Sequence, residues 1–417
     1  MKKNNYCLGN VNTMCDFNTV LYPTTVYLKI TNACNCSCSF CSQKCGKTYM
    51  RMRDFNRILE SLSSVSVSNI VYTGGEPLLH TNLAEMVQKA KAYGFQQVLV
   101  TNGLLINENK NVVSEFNTVG ISLHGNEKMH DNVMHNKGAY KRVIDAFNIL
   151  KEKNVNTIIN YTMTEKNADI DNLKHVANMS YKYGFTLNVA RLNYIEKGKL
   201  INAANLNYML ENINMLREKG YNIEVSNCIS ACLVDEKYRS LTHGCSAGQT
   251  IAAIEANGDM KICPSSPIVL GNILEHTIKY IWNCKEMKIY KKGVWIPAKC
   301  KTCIDFIRCK SGCKAENDGR FWEHICDYEI EKKWNDVWNT IKNKKLTLRI
   351  NRVSNYGEDY YFHAKPIIKC TQVYFEIITS IDGEKTGTEI VKLYSKTIQQ
   401  KEMIELLVAL YLDSIIG

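Results

Sequence analysis

The chain reads as an α/β protein: a partial barrel of six parallel βα units, a small cysteine-rich domain, and a C-terminal winged-helix-like α+β domain. Three observations predict this. From about residue 24 to 226, short β-branched or apolar runs alternate with amphipathic stretches, the pattern of repeated βα units. From about 227 to 330 the repeat stops and cysteines become dense. Residues 346–417 then carry strand and helix patterns with no metal-ligand spacing. The expected boundaries are an N-terminal segment at 1–23, the barrel at 24–226, the cysteine-rich domain at 227–330, a lysine-rich helical linker at 331–345 and the last domain at 346–417.

The strand candidates are Val26–Thr31, Asn69–Thr73, Gln97–Thr101, Val119–Leu123, Val155–Thr162 and Phe185–Ala190. Between them Leu83, Met86, Val87 and Ala90 recur at helical spacing, as do Tyr140, Val143, Ile144, Phe147 and Leu150. In the cysteine-rich part, Thr250 to Ile262 reads as a hairpin turning at Asn257-Gly258. In the last domain, strands are expected at Leu346–Val353 and Tyr360–Ala364. Helices follow at Gln372–Ser380, Thr388–Tyr394 and Gln399–Ile415, with a turn at Asp382-Gly383.

Composition narrows the function classes. With 417 residues the chain suits two or three domains, and 45% hydrophobic with 22% charged residues is ordinary for a globular protein. No apolar run reaches membrane-spanning length, and Met1-Lys2-Lys3-Asn4-Asn5 lacks the apolar stretch of a signal peptide, so a cytoplasmic protein with no membrane partner is expected. The net charge of +11 is scattered among acidic residues rather than blocked, which argues against nucleic acid. Eighteen cysteines without an export signal read as thiolate ligands in a reducing compartment. Cys7, Cys15, Cys284 and Cys370 fit no ligand spacing and read as ordinary thiols.

The chemistry is concentrated in Cys34-Asn35-Cys36-Ser37-Cys38-Ser39-Phe40-Cys41, which follows the first strand. Cys34, Cys38 and Cys41 have C-x3-C-x2-C spacing. Three thiolates on one loop can hold three irons of a cubane cluster and leave the fourth iron open to a small molecule. A zinc knuckle is the alternative, but zinc prefers four ligands and paired C-x2-C spacing. Cys36 and Cys45 flank the pattern; Cys36 is treated as a non-ligand, although the sequence leaves the trio among Cys34, Cys36 and Cys38 open.

This loop resembles the defining motif of the radical S-adenosylmethionine (radical SAM) enzymes, with Phe40 as the aromatic before the last cysteine. The resemblance continues at successive strand ends, in Thr73-Gly74-Gly75-Glu76-Pro77, Thr101-Asn102-Gly103 and Gly120-Ile121-Ser122-Leu123-His124-Gly125. It implies a partial (βα)6 barrel with its chemistry at the carboxyl ends of the strands. It also implies a 4Fe-4S cluster on Cys34, Cys38 and Cys41 that reductively cleaves SAM to a 5′-deoxyadenosyl radical, which takes hydrogen from a substrate. By the family pattern Gly74, Gly75 and Glu76 meet the methionyl ammonium, and Ser122 meets the carboxylate or ribose. Phe40, Pro77, Asn102, Asn160 and Arg191 are further residues expected around the cofactor. Where many relatives have an arginine after His130-Asp131, this chain has Met134, which puts one carboxylate contact in doubt.

The second cysteine region runs Cys245, Gly258, Cys263, then Cys300-x2-Cys303-x5-Cys309-x3-Cys313, then Cys326. It resembles the SPASM extension of peptide-modifying radical SAM enzymes, which implies two auxiliary 4Fe-4S clusters and three clusters in all. Carried over by position, Cys245, Cys263 and Cys313 belong to the first, and Cys300, Cys303, Cys309 and Cys326 to the second. The fourth ligand of the first is Cys232, Cys228 or an open position able to take a substrate thiolate. Sulfatase-activating relatives often carry an aspartate after the second cysteine of this region, where this chain has Pro264.

Residues Ile377-Ile378-Thr379-Ser380-Ile381-Asp382-Gly383, then Thr388-Glu389-Ile390-Val391 and the last helix, resemble a PqqD-type peptide-recognition domain. Such domains capture a leader peptide by β-augmentation. A DNA-binding winged helix competes, but 11 Lys and Arg against nine Asp and Glu in residues 341–417 leave only +2. The expected function is therefore maturation of a ribosomally made precursor peptide by thioether or carbon–carbon crosslinking, with a leader-bearing peptide and an electron donor such as flavodoxin or ferredoxin as partners. The rivals are a sulfatase-maturase-like side-chain oxidase and a zinc-stapled adaptor or DNA-binding protein.

Overall fold

The computed structural model describes residues 5–8, 22–41, 43, 45–65, 67–192, 201–226, 228–266, 269–284, 287, 300, 305–313, 335–349, 353–356, 359–362, 367–412 and 416–417. Cys15, Cys303 and Cys326 lie outside the described residues. The chain forms two compact units: Val20–Lys288 with Gly312–Asp318, and Met1–Thr19 with Ile289–Ser311 and Gly319–Gly417.

After a short strand β1 (Asn5–Leu8), which belongs to the second unit, the first unit is built on seven parallel strands. These are β2 (Thr25–Thr31), β3 (Asn69–Gly74), β4 (Gln96–Thr101), β5 (Thr118–Ser122), β6 (Thr157–Met163), β7 (Thr186–Arg191) and β8 (Ile223–Val225), side by side in chain order. The helices between them are α1 (Met52–Ser63), α2 (Leu83–Ala92), α3 (Lys110–Val113), α4 (Glu127–Met134), α5 (Ala139–Glu152), α6 (Ile170–Tyr183) and α7 (Ala203–Glu218). Each buries one stripe: α1 turns Phe55, Ile58, Leu59 and Leu62 inward, at the i, i+3, i+4, i+7 spacing of an amphipathic helix. Helix α6 starts where Asp169 accepts from the Asn172 amide and stops at left-handed Gly184.

The strands alternate in the same sense. In β6, Thr157, Ile159, Tyr161 and Met163 are buried, while Ile158, Asn160 and Thr162 are only half-buried. The buried set packs under the helices, so Asn160 and its neighbours face the concave side. Six strands were expected; the seventh, β8, is only three residues long and gives too short a run to register as a period.

The cysteine-rich region departs further from expectation. Its hairpin, β9 (Ile251–Ile254) and β10 (Asp259–Lys261), turns at Asn257-Gly258 as anticipated, but β9 lies parallel to β2 and extends the barrel sheet. A further strand β11 (Val269–Asn272) and helix α8 (Ile278–Ile281) complete the described part of this unit's edge.

In the second unit, helix α9 (Phe306–Cys309) is followed by β12 (Lys345–Thr347) and a meander of β13 (Val353–Tyr356), β14 (Asp359–Phe362) and β15 (Ile367–Thr371). Helices α10 (Gln372–Thr379), α11 (Gly387–Leu393) and α12 (Gln400–Leu412) follow, and β1 pairs parallel with the outer edge of β15. Between α10 and α11 the expected turn at Asp382-Gly383 is instead a strand, β16 (Asp382–Thr386), paired with β12. The helices close over Ile341, Leu346, Ile377, Ile378, Leu407 and Leu410. A Thr386/Glu389 capping box opens α11.

Candidate active site

The loop bearing the first cysteines leaves the end of β2 and is pinned at its base. Asn32 donates its amide to the Thr48 carbonyl (3.1 Å), and its side-chain oxygen accepts from the Thr48 amide (2.7 Å). Thr31 Oγ1 donates to the same carbonyl (2.8 Å), and the Met50 amide donates to the Ile30 carbonyl (2.8 Å). The Cys41 amide donates to the Cys38 carbonyl (3.1 Å), closing a turn that sets those two thiols side by side. The Ser39 amide donates to the Val133 carbonyl (2.9 Å), fastening the loop to α4.

Cys34, Cys38 and Cys41 are half-buried and form no disulfide. Burial, followed by the nearby thiols, pushes Cys38 up to about 12; burial also raises Cys34. Thiols held protonated by burial, as at Cys34 and Cys38, suit a metal that expels their protons on binding. Cys36 differs: it is 9% exposed and sits between the side-chain amides of Asn102 (3.6 Å) and Asn136 (3.8 Å). Burial first, then Cys34, pushes it up to about 12.

The Gly-Gly-Glu segment after β3 serves this loop directly. The Gly75 amide donates to the Thr31 carbonyl (2.8 Å), and the Glu76 amide to the Ala33 carbonyl (2.8 Å). A Cβ on Gly74 would stand 2.1 Å from the Thr31 oxygen, and one on Gly75 would stand 2.1 Å from the Ala33 oxygen. Gly74 also has φ 141°, which L side chains rarely adopt. The glycines thus admit the backbone of the cysteine loop itself. Glu76 was expected to meet an ammonium through its side chain, but its residue is 0% exposed. Its carboxylate accepts from the Leu78 amide (3.0 Å), Thr101 Oγ1 (2.8 Å) and the Asn102 amide (2.8 Å), which binds the ends of β3 and β4 together. Burial outweighs these bonds and pushes Glu76 up to about 7. Pro77 is buried in the following 3-10 turn. Asn102 donates to Asn35 Oδ1 (2.7 Å), so it too holds the cysteine loop.

On the concave face Ser122, Asn160 and Asn188 are register partners on β5, β6 and β7, and Asn188 donates to Asn160 Oδ1 (2.9 Å). Arg191, at the end of β7, is buried. Phe40 meets His124 edge-on at 5.0 Å, and His124 stacks on His130 at 5.7 Å. Burial lowers His124 to about 3 and His130 to about 4, so both rings are neutral. The Thr162 amide donates to His124 Nδ1 (3.2 Å) and the His124 amide to His130 Nδ1 (3.1 Å). Met134 is 1% exposed with its sulfur 3.4 Å from Cys38 Sγ, so the position where the family resemblance implied an arginine is an apolar wall of the loop.

The auxiliary cysteines of the first unit converge as well. Cys228 hydrogen-bonds with Cys245 and Cys313, and these bonds together with burial push its thiol up. Cys263 is raised to about 11 by burial and by Cys245 and Cys313. Cys228, Cys245, Cys263 and Cys313 therefore form one neighbourhood, a donor set suited to a cluster of several irons; Cys232 is half-buried nearby in sequence. Among the described residues no three His, Cys, Asp or Glu side chains are arranged to chelate a single ion. In the second unit Cys300 and Cys309 are both buried. Asn188 and Asn136 went unnoticed in the sequence, and His124 and His130 were read only as members of motif runs, with no role of their own. The alternation of β7 could have exposed Asn188; the others are set by contacts between elements.

A parallel barrel sheet whose first strand feeds a three-thiol loop, backed by a second thiol cluster on the same unit, defines the radical SAM fold with an iron-sulfur extension. The Radical SAM superfamily matches residues 28–177, and an iron-sulfur cluster-binding domain, SPASM, matches residues 245–304. The chain belongs to the radical SAM/SPASM family of enzymes. It is 28% identical over 268 residues to the sporulation killing factor maturation protein SkfB of Bacillus subtilis, covering 61% of this chain and 64% of that protein. It is 25% identical over 311 residues to the mycofactocin maturase MftC of Mycolicibacterium smegmatis, covering 70% and 78%. The structure of Streptococcus suis SuiB bound to S-adenosylmethionine superposes with a TM-score of 0.61 at 18% identity, covering 72% of this chain and 75% of that one. No described helix is long and apolar enough to cross a membrane.

Proposed function

We propose that this enzyme matures a ribosomally synthesised precursor peptide, installing a thioether or carbon–carbon crosslink with three 4Fe-4S clusters. When bound on Cys34, Cys38 and Cys41, the first cluster supplies the single electron that cleaves SAM and releases the hydrogen-abstracting 5′-deoxyadenosyl radical. The protein's part is positioning and exclusion. Ser122, Asn160 and Asn188 offer polar groups along the concave face, with Arg191 at the end of the same sheet region. Phe40, His124 and Met134 wall the loop with apolar or neutral groups that keep water from a reactive intermediate. Cys36, held by two asparagine amides, is the loop's non-ligand.

The observation that carries the maturase reading is the gathering of Cys228, Cys245, Cys263 and Cys313. Four protein thiols saturate a cubane, so Cys228 rather than Cys232 completes the first auxiliary cluster, and no iron there is left for a substrate thiolate. Cys300 and Cys309, with Cys303 and Cys326, hold the second. Peptide capture then falls to the second unit. Its β13–β14–β15 meander followed by three helices has the element order of a PqqD-like domain, and the outer edge of β15 already takes a strand from β1. Relatives named as maturation proteins support a peptide substrate, as does the structure of SuiB with its precursor peptide SuiA.

The test is anaerobic reconstitution followed by incubation with SAM, a low-potential flavodoxin or ferredoxin and each candidate short peptide found by searching the neighbouring reading frames. Brown protein with iron and sulfide for three clusters, 5′-deoxyadenosine formation and loss of hydrogen mass from the peptide are expected. A colourless, zinc-loaded protein that leaves SAM intact would overturn the proposal.

A further inference from the structure

We propose that Lys29 is a positioning residue that ties the first cysteine loop to the auxiliary one and holds a fixed positive charge beside the auxiliary cluster. The proposal rests on the reading above that Cys263 is a ligand of that cluster.

Lys29 is the lone charge in the apolar strand Val26-Tyr27-Leu28-Lys29-Ile30 and is 5% exposed. Its ammonium donates to Glu255 Oε1 (2.8 Å), the Pro264 carbonyl (3.0 Å) and Gln43 Oε1 (3.2 Å). Three donors meet three acceptors, so the ammonium is fully satisfied. The acceptors come from three places that matter. Gln43 stands two residues after Cys41, Pro264 follows Cys263, and Glu255 begins the hairpin turn between β9 and β10.

Lys261 also reaches Glu255 Oε1 (2.8 Å). The two cations outweigh burial and keep the Glu255 carboxyl below its usual range. Two lysines share one carboxylate, so the group carries a net charge of +1. Burying an ammonium is costly unless its partners are in place, so the lysine and its three acceptors hold one another fixed. A positive charge near an iron-sulfur cluster favours the added electron and raises the reduction potential.

The experiment is a redox titration of the full-length reconstituted protein followed by electron paramagnetic resonance, with iron counted in each sample. The SAM-responsive signal identifies the first cluster, and the remaining signals are auxiliary. Lys29→Met should retain iron and move one auxiliary potential in the negative direction, and Lys29→Arg should restore it. Glu255→Gln, which leaves the Lys29 bonds to Gln43 and Pro264 possible, should move the same potential in the positive direction. These opposite signs distinguish charge from a loosened fold, which moves both variants the same way. Should Lys29→Met lose iron, the sign for Glu255→Gln decides. Unshifted potentials in both variants, or shifts of one sign, overturn the proposal. A wild-type titration with only the SAM-responsive signal would instead show that the auxiliary-cluster reading itself had failed.

Discussion

Replacing Gly75 with alanine separates two accounts of the Gly-Gly-Glu segment. If the glycines exist so that SAM can approach the backbone, Gly75→Ala should weaken SAM binding and leave the clusters alone. The structure points elsewhere, because the new Cβ would stand 2.1 Å from the Ala33 carbonyl oxygen. Ordinary carbon–oxygen contact needs roughly 1 Å more, and both groups are backbone, so no side chain can swing aside. The Ala33 carbonyl accepts from the Glu76 amide at 2.8 Å and belongs to the residue before Cys34. Overpacking of this kind costs about 1–3 kcal/mol, and the displaced hydrogen bond about 1 more.

A shift of about 1 Å in catalytic geometry is enough for a hundredfold loss of rate. Gly75→Ala should therefore incorporate iron poorly at Cys34, Cys38 and Cys41, losing the SAM-responsive resonance while the auxiliary signals persist. Any 5′-deoxyadenosine it forms at saturating SAM should appear at least tenfold more slowly. Full iron with an unchanged SAM-responsive signal, and a defect cured by raising SAM, would refute this reasoning.

Further outcomes follow from the same contacts. Cys36→Ala should keep the first cluster and SAM cleavage, whereas Cys38→Ala abolishes both; loss of iron from Cys36→Ala would reassign the trio. Cys228→Ala should lower auxiliary iron and Cys232→Ala should not, as read from iron content and Mössbauer spectra; the reverse would make Cys232 the fourth ligand. Glu76 gives a pH test in metal-free protein. Its folded value of about 7 lies above the unfolded 4.5, so its stabilisation is complete below about pH 4.5 and lost as pH rises through 7. Wild type should thus gain about 3 kcal/mol over Glu76→Gln between pH 8 and pH 4.5, measured by hydrogen exchange at Leu78 and Asn102; a difference independent of pH would count against it.

How much was legible depended on range in sequence. The first six barrel strands fall within a residue or two of their predicted runs because each carries its own period and is followed at once by a turn. The cysteine loop's seat at the end of β2 was legible for the same reason. What could not be read is whatever two distant segments decide together. The pairing of Asn5–Leu8 with Ile367–Cys370, and of β9 with β2, leaves no local mark. Nor does local sequence show that the Glu76 carboxylate turns inward to Thr101 and Asn102. Sequence left the fourth ligand of the first auxiliary cluster among Cys232, Cys228 and an open position, because the approach of Cys228 to Cys245 and Cys313 joins segments far apart in the chain.

These misses share a physical cause that bears on mechanism. Motif residues expected to touch the cofactor are largely taken up in holding one another: Glu76 and Asn102 brace the cysteine loop, and Gly74 and Gly75 yield room to it. A loop with three thiols and a vacant iron position cannot be closed by a fourth ligand, so its geometry must come from the surrounding backbone. Conserving such geometry requires small or buried residues beneath the loop, which a sequence motif records without saying what they contact. The groups left facing the concave side, Ser122, Asn160 and Asn188, belong to strands β5 to β7, remote in sequence from the cysteines. Cluster support therefore comes from the first strands of the barrel and ligand polarity from the later ones. Substitutions in the two halves should accordingly separate, the first set changing iron content and the second changing SAM affinity at constant iron.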